Sequence, residues 1–122
     1  MNQREFVRAI KVAVYKAAAK GTIDAFRKPA GRRPHPELVE LSAWFNGLSA
    51  KDQDTCARAV DFAARQATYN FLAVLDGLAA IEPEGPKGKI DLLYEKDGAS
   101  TRLNDEDANQ LTFLFKEPEE LS

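Results

Sequence analysis

The sequence predicts a mostly α-helical α+β fold: a helical bundle of about four helices with a small two-stranded antiparallel hairpin near the C-terminus. Three observations lead there. Apolar residues recur at helical spacing in segments that begin with helix-start signals. Proline and glycine interrupt the chain around residues 28–36 and again around 82–88. After the second break the period changes from about 3.6 to two, and an Asp-Gly pair follows.

The first helix opens at Asn2, whose side chain can accept from a free backbone N–H, with Glu5 three positions on to reach back. Phe6, Ile10, Ala13, Val14 and Ala17 form its expected apolar stripe, and Arg4, Arg8, Lys11 and Tyr15 its basic side. Gly21 is a plausible stop, although Thr22 to Arg27 can add a further turn. Lys28 to His35 reads as a basic loop, because Pro29, Gly31, Pro34 and Pro36 oppose regular structure. Helix 1 and this loop make residues 1–36 a basic segment.

Pro36 suits the first turn of a second helix, with Leu38, Leu41, Phe45 and Leu48 inward, Trp44 beside Leu41 and Asn46-Gly47 as its end. Ser49 and Asp52 form another capping pattern. It opens a long central helix over about residues 50–80, with Cys56, Val60, Ala64, Phe71, Val74 and Leu78 on its apolar side. Phe71 to Ile81 is apolar almost all round, the mark of burial against several neighbours. Ile90, Leu92 and Tyr94 then alternate with Asp91 and Glu95, Asp97-Gly98 makes a tight turn, and Ser100 to Leu103 returns, giving a hairpin over about 89–103. Asn104 and Asp107 predict the cap of a last helix over about 105–115, with Glu117 to Ser122 as a frayed acidic tail.

The 122 residues suit a single domain, residues 1–122, with 44% hydrophobic and 30% charged residues. One Cys excludes an internal disulfide, and one His excludes a two-histidine metal site. No catalytic residue, cofactor-binding residue or metal ligand set emerges, so no cofactor is expected and an enzyme is the less favoured class. No stretch is long and uncharged enough to span a bilayer, and charges at Arg4, Glu5, Arg8 and Lys11 break up any signal peptide, so the expected place is the cytoplasm, away from membranes.

Charge is unevenly divided. Residues 1–36 hold nine Lys or Arg against two acids, and residues 37–122 hold eight against seventeen. That allows a nucleic-acid surface on helix 1, an acidic surface for a basic protein partner, or attraction within the fold. Nucleic acid is disfavoured by the net charge of -2 and by the lack of a binding motif.

Asp76 stands out, because a carboxylate within Phe71–Ile81 cannot be buried alone. On a continuous helix it shares a side with Arg58, Arg65 and Tyr69, so these residues, with Arg32 and Arg33 of the basic loop, make a candidate ligand or partner site. The hairpin supplies a second candidate, an interaction edge at Leu93 and Tyr94. Leu93 points opposite to Leu92, so it is either covered by the last helix or left as an exposed contact.

The succession Gly21-Thr22-Ile23, Lys28-Pro29-Ala30-Gly31-Arg32-Arg33-Pro34, Leu38-Val39-Glu40-Leu41-Ser42 and Phe71 to Gly77 resembles a group of small bacterial proteins without an assigned activity. Acidic bacterial proteins of this size are often toxin-immunity proteins, which gives an analogy of class and transfers no residue. The expected function is non-enzymatic protein binding, possible forms being an immunity or antitoxin protein or self-association. The alternatives are a small enzyme or ligand-binding domain near Asp76 and the Arg32-Arg33 loop, and a nucleic-acid module using helix 1.

Overall fold

The structure, a computed structural model, describes residues 1–118 and is an α+β arrangement of helices with one antiparallel hairpin near the C-terminus. In order come α1 (Gln3–Ile10), a π-helical stretch (Lys11–Lys16), α2 (Ala17–Arg27), α3 (Pro36–Asn46), α4 (Ala50–Leu75), β1 (Leu93–Lys96), β2 (Ala99–Arg102) and α5 (Leu111–Lys116). The chain divides into two compact units, one of residues 13–66 and one of residues 1–12 with 67–122.

In the 13–66 unit, α2 packs on α3. Ile23 and Phe45 are buried, and the Phe26 and Phe45 rings meet at 5.9 Å. The orphan carbonyls at the end of α2 are satisfied from α3: Ser42 Oγ donates to Phe26 O at 2.6 Å, and Asn46 Nδ2 donates to Phe26 O and Arg27 O. Gly21 does not stop the helix, which runs on to Arg27. The His35 ring caps α3, its Nδ1 accepting from Glu37 N, with Pro36 at the first helical position. Ser49 Oγ accepts from Asp52 N and opens α4 as expected.

Two stripes differ from expectation. Val7 is the buried residue of α1, Lys11 and Tyr15 are half-buried, and Ala13, Val14 and Ala17 are exposed. The π-helical stretch changes the residues per turn, so a single 3.6 period read from Phe6 to Ala17 loses phase. Tyr15 therefore turns inward, its hydroxyl donating to Asp61 at 2.8 Å. In α3, Leu41 and Trp44 are exposed while Ser42 joins Phe45 inside.

In the other unit, α1 packs on α5, and the core holds Val7, Leu72, Leu75, Leu103, Leu111, Leu114 and Phe115. Helix α4 ends at Leu75, five residues short of expectation. The cause is Gly77, at φ +77°, where Gly77 N donates to Val74 O and Leu78 N to Ala73 O, a Schellman closure of the last turn. Phe71, Leu78 and Ile81 are correspondingly exposed rather than buried on all sides. Asp76 is the last residue before that turn and not a mid-helix residue.

The hairpin pairs Leu93↔Arg102, Tyr94↔Thr101, Glu95↔Ser100 and Lys96↔Ala99, with Asp97 (φ +52°) and Gly98 (φ +79°) in the turn. Its first strand is shorter than expected. Ile90 lies before β1, and the return strand, expected at Ser100 to Leu103, lies one residue earlier at Ala99–Arg102 with one further bond, Leu103 N to Leu92 O at 2.8 Å. The last helix begins at Leu111 rather than near residue 105, because Asn104 is used elsewhere. Glu117 is not frayed; its carboxylate pairs with Arg4, and its carbonyl accepts from Lys11 Nζ at 3.1 Å. The rest of the expected tail, residues 119–122, lies outside the described residues.

Candidate functional site

Asp76 lies in the 1–12 and 67–122 unit, half-buried, where its carboxylate caps a helix distant in sequence. Oδ1 accepts from Leu111 N at 2.8 Å; Oδ2 accepts from Thr112 N at 2.9 Å and from Thr112 Oγ1 at 2.8 Å. These two N–H groups are among the orphan donors that open α5, whose own N-cap, Gln110, makes no side-chain cap bond. A carboxylate there also meets the positive end of the helix dipole. A six-residue helix does not hold itself together in water, so α5 owes its existence to this cap and to burial of Leu111, Leu114 and Phe115.

Asn104 completes the arrangement. It is buried, its Nδ2 donates to Leu75 O at 2.7 Å and Ile90 O at 2.6 Å, and its Oδ1 accepts from Leu92 N at 2.9 Å. One side chain thus ties the end of α4 to the approach to β1 and ends the strand ladder. The next carbonyl, Leu103 O, accepts from Gln3 Nε2 at 2.8 Å.

Beside these residues is an open cleft of about 340 Å³, walled by Val74, Asp76, Ile81, Lys89, Ile90 and Asn104 among others. Its polar groups are engaged within the fold: Asp76 and Asn104 as above, and Lys89 with Glu106 at 3.3 Å. No nucleophile there is paired with a base. Among the described residues no group of three or more His, Cys, Asp or Glu could hold a metal ion, and no helix is long and apolar enough to cross a membrane.

The other residues of the proposed Asp76 cluster make separate contacts. Arg58 reaches Asp54 at 3.5 Å and Arg65 reaches Asp61 at 3.5 Å, each within its own helix, while Arg65 also lies over the Phe62 ring. Arg32 and Arg33 are exposed in the loop between α2 and α3. Tyr69 packs on Phe115 and lies under Lys116 Nζ at 4.6 Å. Asp76 is anchored to backbone and hydroxyl donors of α5, not to a cation. Sequence reasoning missed Asn104 as a tether, because Asn104 with Asp107 satisfies a local capping pattern just as well.

The hairpin presents a different surface. The two-residue turn makes Lys96 and Ala99 the hydrogen-bonded pair beside it, so Tyr94 with Thr101 and Leu92 with Leu103 follow as hydrogen-bonded pairs. Leu93 and Glu95 therefore direct their N–H and C=O groups to the outer edge of β1, where they have no partner among the described residues. Tyr94 is half-buried on the inner face. Leu93 is 52% exposed on the outer face and Phe113 of α5 is 60% exposed, so helix α5 does not cover Leu93. Across from Leu93, Arg102 reaches back to Asp91 at 2.9 Å.

Compared with protein-family models, with curated proteins and with solved structures, the chain matches none of them, so the resemblance to small bacterial proteins finds no support there.

Proposed function

We propose that the protein is a non-enzymatic binding domain whose partner is another protein, engaged at the outer edge of β1. The observation that supports this reading is Leu93, a large apolar side chain more than half exposed, beside backbone groups of Leu93 and Glu95 that have no partner among the described residues. Open edges are docking points for extended chain, and soluble proteins normally blunt them. The polar residue that first suggests a chemical site, Asp76, and Asn104 beside the same cleft are occupied in holding α5 and the hairpin. An immunity or antitoxin role is the sharpest form of this reading; small size and acidic charge are its support.

A photo-crosslinking residue placed at position 93, with one at exposed Ala63 of α4 as control, tests it in the cells that make the protein. The reading expects one protein species crosslinked from position 93 and not from 63. The same species from both positions, or none from 93, overturns it. Toxicity of the captured protein in cells lacking this chain tests the immunity form.

The open cleft favours a second reading, a small ligand held near Asp76. Ligand-induced amide shifts confined to Val74, Ile81 and Ile90, with the hairpin unmoved, distinguish it.

A further inference from the structure

Resting on the protein-binding reading, we infer the chemistry of the partner: an extended segment carrying an apolar residue and a Lys or Arg two positions apart, on one face of the strand, adding as a third strand to the outer edge of β1.

The inference follows from which side chains accompany the open edge. Side chains alternate along a strand, so Asp91, Leu93 and Glu95 project on the outer face. They read acid, apolar, acid. Asp91 already has Arg102 at 2.9 Å, which leaves Glu95 as the acid of this face without a cation among the described residues, and its cross-strand neighbour on β2 is Ser100. A strand laid on this edge puts one residue directly opposite Leu93 and another opposite Glu95, two positions apart on the same face. Opposite-charge and apolar pairs across strands are the favourable ones, so the matching chain carries an apolar residue and a Lys or Arg at that spacing.

The same parity argues against a second copy of β1 as the occupant. In a new antiparallel ladder residues with outward backbone groups face residues with outward groups, and inward ones face inward ones, so antiparallel self-pairing sets odd-numbered residues of β1 against odd-numbered ones. Glu95 then faces Leu93, Glu95 or Asp91 of the copy according to register. In that arrangement Lys96, whose backbone faces β2, never comes opposite Glu95. Every antiparallel self-pairing leaves Glu95 without a cation, and two of the three bring acids together.

The test uses the whole protein and three short labelled probes: a lysine-valine peptide of repeating Val-Thr-Lys-Thr, which sets Val and Lys two positions apart on one face, its glutamate-valine counterpart with Glu for Lys, and the lysine-valine peptide N-methylated at its Val and Lys residues to remove its edge donors. Fluorescence anisotropy gives affinity, and amide NMR shifts at Leu93 and Glu95 give the place. The lysine-valine peptide is expected to bind about three- to ten-fold more tightly than the glutamate-valine one, with the N-methylated peptide not binding. Glu95→Lys, at an exposed position, keeps the melting midpoint and reverses the order. Equal binding of the charged peptides at the edge overturns the inference about charge while leaving edge docking standing. No shift at Leu93 or Glu95 with any probe, together with no crosslink from position 93, overturns both. Sedimentation of the protein alone as a dimer with those two amides protected overturns the basic-partner assignment in favour of self-association.

Discussion

Replacing Asp76 by alanine removes three hydrogen bonds from one side chain, and the structure allows the cost to be bounded. Loss of a helix N-cap alone costs about 1 kcal/mol. The stranded donors raise that figure, because Leu111 and Thr112 are 0% and 3% exposed and their N–H groups have no alternative acceptor near Gln110. Asp76 is itself only half-buried, so water can enter the vacated space and return part of the loss. The expected destabilisation is therefore about 2–3 kcal/mol, or roughly 6–15 °C in melting midpoint for a chain of this length. Asp76→Asn should fall between, since its amide keeps one acceptor but sets an NH₂ against the Thr112 donors. Thr112→Val should cost about 1 kcal/mol, and less in the Asp76→Ala background, where its acceptor is already gone. Trp44 lies in the other unit, so the assay is far-UV circular dichroism with amide exchange at Leu111–Phe115 rather than tryptophan fluorescence. An Asp76→Ala midpoint within about 2 °C of the native one, with exchange at Leu111 unchanged, refutes the capping role.

Three further outcomes follow from the same geometry. Asn104→Leu keeps the branched shape, with bulkier methyl groups, but removes bonds to Leu75, Ile90 and Leu92, and is expected to lower stability by about 2–4 kcal/mol in urea unfolding, with faster exchange at Leu103. Gly77→Ala meets no atom within 4 Å, so its expected cost of about 1–2 kcal/mol comes only from the positive φ; an unchanged urea midpoint would contradict that conformational argument. Leu93→Lys should leave stability within about 0.5 kcal/mol, since the side chain is already half exposed, while abolishing partner capture; a large drop in midpoint would mean that Leu93 belongs to the core.

The parts of this molecule legible in its sequence are those governed by near neighbours. Asn2, Ser49 and Pro36 mark their helix starts, and Asp97-Gly98 marks its turn, because each acts on backbone within three or four residues. The period of two around Leu92 likewise assigns Leu93 to the outer face before any coordinates. Reading failed where two local rules competed or where the deciding contact came from far along the chain. Asp76-Gly77 contains a helix stop, but the apolar run continuing to Ile81 outweighed it, and those residues are exposed once the helix has ended. The π-helical stretch has no comparable signature and shifts every later position on its helix. At Asp76 the two limits meet. A carboxylate among Val74, Leu75 and Leu78 announces that it needs a partner, but nothing local names one, and the donors that satisfy it stand 35 and 36 residues away. Asn104 is the mirror case, a local cap by pattern and a tertiary tether in fact. Both residues suggest a site because they are polar among apolar neighbours, and both are occupied in holding structure. The surface proposed for a partner is the hairpin edge, where an apolar side chain and backbone groups without a partner among the described residues face outward.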